Sequence, residues 1–359
     1  MTARAALDAK VLAWIAEGVD APADDARFDA LALELFRYQH AKNAAYRRIC
    51  DAFALDAARV RRFQDVPAVP TGAFKEARLA CFPPEASVRE FHSSGTTTQR
   101  PGVLALDTLA LYEASLLATF RAFICPDVAR IRFFVLAPPA RESPHSSLSY
   151  MFDHAVARLG TRESAFYVGA EGWDPERLIR DLAASREPVA VVGTAFAFVH
   201  LLDALAADGR SLALAPGSRA METGGFKGRS RALSRADLHR AIAARLGIPA
   251  ERIVNQYGMC ELASQFYEPS LVLGRASFVK RVPPWVRTRA VDPETLADVP
   301  PGARGMLVHY DLANTGSVLA VQTSDEGRLA PGGFEVFGRL AGAEARGCSI
   351  AADALLERA

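Results

Sequence analysis

The segment Pro188 to Ala207, PVAVVGTAFAFVHLLDALAA, joins two kinds of apolar pattern. Its first six residues, Pro188 to Gly193, are mostly small or β-branched and predict a buried strand. The residues Ala195 to Ala207 continue the apolar run over a length that predicts the helix fed by this strand. Strands that are buried on both faces belong to sheets with helices on either side, which predicts an α/β fold.

The same alternation of strand and helix recurs around this segment. Further strand-like runs are Arg130 to Ala137, Ser218 to Thr223 and Arg252 to Gln256, and further helical runs are Ser147 to Leu159 and Arg235 to Leu246. Because strands and helices alternate along the chain, we predict a parallel or mixed β-sheet covered by helices.

The two ends of the chain differ from this middle part. Residues 4–56 are predicted to be helical, because Phe28, Leu31, Leu35 and Tyr38 recur at spacings of three and four. After about residue 283, turn motifs such as VPPGARG and SDEGRLAPGG separate short strands. We therefore predict an N-terminal helical region (1–60), an α/β core (61–282) and a smaller β-rich subdomain (283–359).

Charge and cysteine content exclude several classes of protein. The sequence has 42 Lys and Arg against 41 Asp and Glu, so no global charge attracts nucleic acid or an anionic membrane. The five cysteines are scattered without a CxxC pair, which favours reduced thiols over a disulfide framework or a zinc site. The longest apolar run, Val189 to Leu202, is too short to span a bilayer. We predict a cytoplasmic protein without a membrane span or a nucleic-acid partner.

The stretch His92 to Gly102, HSSGTTTQRPG, concentrates small hydroxyl residues and glycines in one loop. Small residues let backbone N–H groups turn toward an anion, and hydroxyl groups add donors without bulk. The residues that meet this need are Ser93, Ser94, Gly95, Thr96, Thr97 and Thr98. No Lys-Ser or Lys-Thr pair follows the second glycine, so this is not a Walker A motif. The loop alone fits phosphate binding and an ordinary solvated turn equally well.

Two further stretches contain residue types that commonly bind nucleotides. In NQYGMCELAS (255–264), Tyr257 can stack on a planar base and Glu261 can hold a divalent cation; the alternative is a strand-to-helix junction with a buried tyrosine. In VQTSDEGRL (321–329), Asp325 follows an apolar strand and can accept hydrogen bonds from a ribose diol. The alternative for Asp325 is a turn aspartate that satisfies local backbone.

Taken in order, the SSGTT loop, YGMCE, SDEG and FGR (337–339) resemble the motif series of the adenylate-forming (ANL) enzymes, which activate carboxylic acids with ATP. Within that superfamily the chain is most similar to the LuxE-type acyl-protein synthetases of the bacterial fatty acid reductase complex. The stretches that carry this likeness are VPTGAFKE near residue 70, SPHSSLSYMF near 145, METGGFKGR near 222 and GRLAGAEARGCSI at 338–350. The likeness runs from about residue 60 to the end.

The resemblance implies an ANL-type N-terminal domain with mixed β-sheets covered by helices, plus a small β-rich C-terminal subdomain. It also implies roles for individual residues around MgATP. Ser93, Ser94, Gly95, Thr96 and Thr97 would hold the β- and γ-phosphates; Glu222, Gly224, Gly225 and Tyr257 would lie near the adenine; Glu261 would help bind Mg²⁺; Asp325 would take the ribose hydroxyls; and Arg339 would reach the ribose or a phosphate.

One departure from the superfamily concerns a catalytic lysine. Typical adenylate-forming enzymes continue into a large mobile domain that carries this lysine, whereas this chain ends about twenty residues after Gly338. We therefore expect that domain to be absent or truncated, and another cation to offset the charge that develops on the α-phosphate. The candidates are Lys75, Lys227 and Lys280, and the sequence does not separate them.

In the LuxE-type family a cysteine near the C-terminus accepts the acyl group, which implies this role for Cys348. A thiolate attacks a mixed anhydride readily and gives a thioester suited to onward transfer. The alternative is a small buried cysteine. Cys260, inside the YGMCE motif, is a weaker candidate for the nucleophile. His145 lies in a polar loop and would orient the carboxylate or close over the acyl group, unless it is only a surface histidine.

These inferences predict a ligase that forms a carbon–sulfur bond. A fatty or other carboxylic acid and MgATP would give an acyl-adenylate, and Cys348 would capture the acyl group for an acyl-accepting partner such as an acyl reductase. One alternative keeps the adenylate but transfers the acyl group to coenzyme A or a carrier thiol. A second alternative is a non-catalytic subunit that binds nucleotide or acyl groups and regulates a reductase.

Overall fold

The computed structural model describes residues 3–93, 100–170, 172–224 and 234–340. The described residues form two compact units. The first comprises residues 3–119, 258–266 and 279–340, and the second comprises residues 120–257 and 267–278. Both units are discontinuous in sequence, and the division into regions 1–60, 61–282 and 283–359 stays a prediction.

The helices are numbered in chain order. They are α1 (Ala3–Ala16), α2 (Asp25–Lys42), α3 (Ala44–Ala52), α4 (Ala73–Glu76), α5 (Ala110–Ile124), α6 (Ser147–Leu159), α7 (Pro175–Ala184), α8 (Ala195–Ala207), α9 (Arg235–Leu246) and α10 (Ser270–Leu273). None of the helices in the described part of the chain combines the length and the hydropathy that a membrane span requires. The cytoplasmic location stays a prediction.

The strands are also numbered in chain order. They are β1 (Val69–Pro70), β2 (Arg89–His92), β3 (Val103–Leu106), β4 (Arg132–Leu136), β5 (Ala165–Phe166), β6 (Val168–Gly169), β7 (Gly172–Trp173), β8 (Val189–Thr194), β9 (Arg219–Thr223), β10 (Ile253–Tyr257), β11 (Phe266–Tyr267), β12 (Lys280–Arg281), β13 (Val286–Val291), β14 (Arg304–Asp311), β15 (Ala320–Ala330) and β16 (Gly333–Arg339).

The first unit begins with the helices predicted for the N-terminal region. Asp24 caps α2 by accepting a hydrogen bond from the backbone N–H of Arg27. Asn43 ends α2 and caps α3, because its side chain accepts from the N–H of Tyr46. The buried face of α2 includes Phe28, Leu31 and Leu35, which confirms the helical spacing read from the sequence.

The first unit also contains a largely antiparallel sheet with the strand order β12-β16-β15-β14-β13, to which β1 adds in parallel beside β15. β2 and β3 form a separate antiparallel hairpin. The described residues after 283 are rich in strands, as predicted, but the expectation of short strands was wrong, since β14, β15 and β16 have 8, 11 and 7 residues. The pairing of β15 with β16 sets Asp325 directly opposite Arg339.

The second unit is built on a sheet of the order β11-β10-β9-β8-β4-β5, in which β10, β9, β8, β4 and β5 run parallel. Every residue of β8 is buried, which confirms the strand covered on both faces. Gly193 is required where β8 passes β4, since a Cβ there would lie 2.5 Å from the Cβ of Leu136. The alternation of parallel strands and helices confirms the predicted α/β fold.

Helices α7, α8 and α9 pack on this sheet through one hydrophobic core. Four phenylalanines of this unit, Phe133, Phe134, Phe196 and Phe198, are core residues. Phe134, Phe196 and Phe198 belong to the buried cluster, and Phe133 packs its ring 6.0 Å from that of Phe120. Large apolar side chains in this unit therefore stabilise the sheet–helix packing.

Candidate functional site

The structure describes eight of the residues implied by the resemblance. The first unit carries Ser93, Glu261, Asp325 and Arg339, and the second carries His145, Glu222, Gly224 and Tyr257. The remaining predicted residues, Ser94, Gly95, Thr96, Thr97, Gly225 and Cys348, lie outside the described residues. The candidate site is therefore described as a group of residues in each unit.

In the first unit, Ser93 and Gly102 close the base of the hydroxyl-rich loop. The N–H of Ser93 donates to the carbonyl of Gly102 at 2.8 Å, and the N–H of Gly102 donates to Ser93 Oγ at 2.8 Å. These two bonds continue the ladder of the β2–β3 hairpin, whose last pair is His92 and Val103. The hydroxyl of Ser93 is thus fixed by backbone geometry.

Glu261 lies next to the same glycine. A Cβ at Gly102 would lie 2.9 Å from Ser93 Oγ and 3.5 Å from Glu261 Oε1. The missing side chain of Gly102 therefore lets a hydroxyl and a carboxylate converge on one point. Glu261 itself is only 4% exposed. We refer to Ser93, Gly102 and Glu261 as the hydroxyl–carboxylate cluster.

A buried aspartate supports the segment that carries Glu261. Asp311 Oδ2 accepts hydrogen bonds from the N–H groups of Ala263 and Ser264 at 3.0 and 2.8 Å. Its Oδ1 accepts from Ser264 Oγ at 2.8 Å and from the N–H of Ala313 at 3.0 Å. Burial raises the pKa of Asp311 to about 6, although these four hydrogen bonds favour the carboxylate and lower it.

Helix α2 supports the same region from the far end of the sequence. The side-chain amide of Gln39 donates to the carbonyls of Asn314 and Thr315 at 2.9 and 3.3 Å and accepts from the N–H of Leu319 at 2.8 Å. Asn314 in turn donates to the carbonyl of Glu261 at 3.0 Å. The stretch DLANTGS (311–317) is thus a buried support that sequence reasoning missed, because its polar residues resemble those of a turn.

Asp325 and Arg339 form the second group of the first unit. Arg339 Nε lies 3.5 Å from Asp325 Oδ1; Asp325 is buried and Arg339 is partly exposed. The N–H of Asp325 donates to Thr323 Oγ1 at 3.0 Å, which holds the backbone at the bulge between Glu326 and Gly327. The pairing therefore brings together Asp325, which the resemblance assigns to the ribose, and Arg339, which it assigns to the ribose or a phosphate.

In the second unit, Glu222 and Asn255 lie opposite each other at the carboxyl ends of β9 and β10. The side-chain amide of Asn255 donates to Glu222 Oε1 at 2.7 Å, and Nε2 of His239 on α9 lies 3.0 Å from the same oxygen. Glu222 is only 1% exposed. Gly224 directly follows β9 and Tyr257 is the last residue of β10, so both lie at the same edge of the sheet. We refer to Glu222, His239 and Asn255 as the carboxylate corner.

His239 and its partners were missed from the sequence. Ser234 caps α9 by accepting from the N–H of Asp237, and His239 lies in the following turn. Nothing in the local pattern of α9 distinguishes His239 from a surface histidine, since its partner Glu222 belongs to the strand before the helix. His145, which was predicted, is an exposed residue directly before Ser146, the N-cap of α6.

The described cysteines are buried or half-buried thiols. Burial raises the pKa of Cys50 and Cys125 to about 11 and that of Cys81 to about 12. Such thiols stay protonated at neutral pH and react slowly. Cys260 is buried, with Sγ 3.9 Å from the carbonyl of Gly102. The described residues also contain no group of three or more His, Cys, Asp or Glu that could hold a metal ion.

Comparison with known proteins gives a family match over almost the whole chain. The family model described as acyl-protein synthetase, LuxE, matches residues 5–356. Two curated relatives are both named long-chain-fatty-acid–luciferin-component ligase. The one from Aliivibrio fischeri is 25% identical over 309 residues, which are 83% of this chain and 78% of that protein. The one from Vibrio harveyi is 23% identical over 305 residues, 81% of this chain and 76% of that protein.

Solved structures show the same fold. A 2-hydroxyisobutyryl-CoA ligase in an open conformation, in complex with 2-HIB-AMP and CoA, matches with a TM-score of 0.65 and 16% identity. The match covers 89% of this chain and 76% of that ligase. At this identity the likeness concerns the fold, and it confirms the fold of the adenylate-forming enzymes predicted from the sequence.

Proposed function

The chain belongs to the acyl-protein synthetase (LuxE) family, and from this premise we propose that it activates a carboxylic acid with MgATP and captures the acyl group on Cys348. A carboxylate oxygen of the acid attacks the α-phosphorus, the bond to the bridging oxygen of the β-phosphate breaks, and pyrophosphate leaves. The Cys348 thiolate then attacks the acyl carbonyl of the adenylate, AMP leaves, and a thioester remains. The observation that carries the proposal is the hydroxyl–carboxylate cluster.

The cluster suits a triphosphate because it combines a fixed donor with a carboxylate. Ser93 Oγ and Glu261 Oε1 both lie within 3.5 Å of the position of a Cβ at Gly102. Mg²⁺ is usually bound by one or two carboxylates plus substrate phosphates, so a single buried glutamate fits this ion. Glu261 would hold Mg²⁺, which would neutralise phosphate charge, while Ser93 would donate to a phosphate oxygen beside it.

The pair Asp325 and Arg339 suits the sugar. A carboxylate accepts hydrogen bonds from both hydroxyls of a ribose, and the neighbouring guanidinium helps to hold that carboxylate in place. The same guanidinium supplies positive charge beside a phosphate. This assignment uses two residues that the β15–β16 register sets opposite each other.

Among the candidate cations for the α-phosphate, Lys75 has the position that fits best. It follows Phe74 in α4, and the Cβ of Phe74 lies 3.3 Å from the position of a Cβ at Gly102. Lys280 is fully buried in the short strand β12, and Lys227 lies outside the described residues. We therefore propose that Lys75 supplies the cation.

A long-chain fatty acid is the proposed substrate, and a protein that accepts the acyl group, such as an acyl reductase, is the proposed partner. Both curated relatives are named as ligases that join a long-chain fatty acid to a luciferin component. The raised pKa values of Cys50, Cys81 and Cys125 make these thiols poor nucleophiles, which favours Cys348 as the acceptor. The exposed His145 is proposed to orient the acid.

The test is intact-protein mass after incubation with MgATP and a panel of fatty and aromatic acids, for the wild type and for Cys348→Ala. A gain of one acyl group in the wild type alone, reversed by hydroxylamine, is the expected result. If neither protein gains mass while both release pyrophosphate, the acceptor is a free thiol such as coenzyme A. Nucleotide binding without acid-dependent pyrophosphate release would instead indicate a regulatory subunit.

A further inference from the structure

The loop between β4 and α6 consists of two consecutive turns. The N–H of Glu142 donates to the carbonyl of Pro139 at 3.0 Å and closes the first turn, and the N–H of Ser143 donates to the same carbonyl at 3.1 Å. The N–H of Ser146 donates to the carbonyl of Ser143 at 3.0 Å and closes the second turn. We refer to residues 139–146 as the double turn. Because Ser143 takes part in both turns, whatever holds the first turn also holds the second.

His145 lies in the second turn of this loop. It follows Pro144, and these two are the central residues between Ser143 and Ser146. The proline ring fixes its own φ, and Ser146 is also the N-cap of α6, so the backbone is fixed before and after the histidine. His145 itself is exposed. The loop follows the carboxyl end of β4, and open α/β sheets bind their ligands beyond such strand ends.

A carboxylate of the first turn joins the double turn to the β6–β7 hairpin. Glu142 Oε2 accepts a hydrogen bond from the N–H of Ala170 at 2.7 Å. The absent side chain of Gly169 permits this approach, because a Cβ there would lie 2.9 Å from the same oxygen. Hydrogen bonds to a carboxylate are stronger than hydrogen bonds to a neutral acceptor. Glu142 therefore anchors the first turn to a separate element of the second unit.

A second carboxylate anchors the same turn to the helix that follows it. Asp153 lies in the second turn of α6, and its Oδ2 accepts a hydrogen bond from the N–H of Ala140 at 2.9 Å. The first turn is thus held by a hairpin on one side and by a helix on the other. Neither anchor is needed to form the sheet or the helix themselves, since each bonds a backbone N–H of a loop or turn. This suggests that their purpose is the position of the double turn.

We infer that Glu142 and Asp153 are positioning residues, which hold His145 where it meets the carboxylate of the acid substrate. This inference rests on the proposed function, in which His145 orients the acid, and it adds the residues through which the protein keeps that histidine in place. A loop that is fixed before binding loses less conformational entropy when the ligand arrives. The anchors should therefore affect the acid and leave the nucleotide unaffected.

The first experiment removes each anchor and then restores its acceptor. Glu142→Ala and Asp153→Ala remove the carboxylates, whereas Glu142→Gln and Asp153→Asn keep an oxygen that can accept. In pyrophosphate release with hexadecanoic acid, the alanine variants should raise the KM for the acid about tenfold and keep the KM for ATP within about twofold. The amide variants should keep most of the wild-type KM. An unchanged KM for the acid in both alanine variants, or an equal rise for acid and ATP, would overturn the inference.

The second experiment tests whether the anchors act through His145. In a His145→Ala background, adding Glu142→Ala should change the KM for the acid by less than about twofold, because the residue that Glu142 positions is no longer there. A purely structural role would give the same effect in both backgrounds. The full tenfold effect in the His145→Ala background would therefore overturn the positioning role.

Two neighbours of Glu142 provide matched comparisons. Gly169→Ala leaves the double turn unchanged in sequence, but its Cβ must push Glu142 Oε2 aside, so the KM for the acid should rise as in Glu142→Ala. Arg141→Ala removes an exposed guanidinium 3.1 Å from Glu142 Oε1 and keeps the bond to Ala170, so the KM should stay at the wild-type value. A rise in Arg141→Ala equal to that in Glu142→Ala would overturn the anchoring role of Oε2.

Failure of the proposed function is distinguishable from failure of this inference. If the wild type releases no pyrophosphate with any acid, the proposed function fails, and the Kd for hexadecanoate is then measured by calorimetry. Weaker binding caused by Glu142→Ala in the presence of His145, but not in the His145→Ala background, would still support the inference, and equal affinities would overturn it. If Asp153→Ala fails to fold by circular dichroism, Glu142→Ala decides, because the side chain of Glu142 is partly exposed.

Discussion

The hydroxyl–carboxylate cluster of the first unit and the carboxylate corner of the second are assembled in different ways. Ser93 and Gly102 extend one hairpin, whereas Glu261 comes from a segment far away in the sequence, which the buried Asp311 and Gln39 support. Glu222 and Asn255 instead meet because β9 and β10 are neighbouring parallel strands in fixed register. The cluster thus depends on a polar network, whereas the corner depends on the sheet.

This difference predicts where substitutions affect folding and where they affect only binding. Removing a member of a buried network leaves partners without hydrogen bonds, so stability and function fall together. Removing a residue at the end of a strand leaves the sheet intact, so function falls alone. The predictions below test this contrast in decreasing order of effect.

The largest effect is expected for Asp311→Ala. The substitution leaves three backbone N–H groups and the hydroxyl of Ser264 without their acceptor in a buried site. We expect a loss of about 3–5 kcal/mol in the free energy of unfolding, measured in urea, together with a loss of pyrophosphate release. A loss below about 1 kcal/mol would contradict the claim that Asp311 holds a buried hydrogen-bond network together.

The second prediction concerns acid stability and His309, which lies two residues before Asp311 on β14. Burial lowers the pKa of His309 from 6.5 to about 3, so the unfolded chain binds a proton below pH 6.5 that the folded protein does not bind. Stability contributed by the neutral histidine is present above pH 6.5 and is lost as the pH falls toward 3. Between pH 7 and 4 this amounts to about 3 kcal/mol.

The measurement is urea unfolding of the wild type and His309→Gln across this range. Asp311 titrates with the opposite sign, because its raised pKa makes its contribution grow as the pH falls from 6 to 3.8. Both proteins contain Asp311, so their difference isolates the histidine. The stability of the wild type should fall more steeply with acid than that of the variant, and parallel curves would contradict the prediction.

The third prediction concerns Gly102→Ala. The added Cβ would lie 2.9 Å from Ser93 Oγ and must push the hydroxyl or Glu261 aside. A displacement of this kind at a reacting centre lowers kcat/KM for pyrophosphate release by about 10- to 100-fold. The matched control is Gly72→Ala in the same unit, where no atom lies within 4 Å of the new Cβ. Equal activity of the two variants would show that the missing side chain of Gly102 is not needed for the arrangement of Ser93 and Glu261.

The smallest effect is expected for Tyr257→Leu at the end of β10. Loss of the ring removes a stacking surface and should raise the KM for ATP about fivefold, or about 1 kcal/mol, without a matching loss of stability. Tyr257→Phe keeps the ring and should retain the wild-type KM. A clear loss of stability in the leucine variant would show that this corner also depends on a network.

The α/β part of the fold could be predicted closely from the sequence. Helices α6, α8 and α9 begin and end at the predicted residues, and the N-caps Ser146, Thr194 and Ser234 explain where they begin. The strand β8 was readable because each of its residues is apolar or small. These elements can be recognised from their own residues, without knowing which segments they pack against.

The support behind the candidate site could not be predicted in the same way. Asp311 contacts residues 47 and 48 positions earlier, and Gln39 contacts residues 275 to 280 positions later. Neither contact leaves a periodic pattern in the sequence, and DLANTGS has the composition of a turn. His239 was missed for the same reason, since its partner lies 17 residues before it in another element.

The contact between Gln39 and Leu319 also has a consequence for synthesis on the ribosome. Helix α2 is among the first parts of the chain to be made, yet its partner follows 280 residues later. At about 5–20 residues per second, α2 waits on the order of 15 to 60 seconds before that partner exists. Until then the side chain of Gln39, which is fully buried in the folded protein, lacks the acceptors and the donor that residues 314–319 provide. The first unit therefore completes its packing around α2 only late in synthesis.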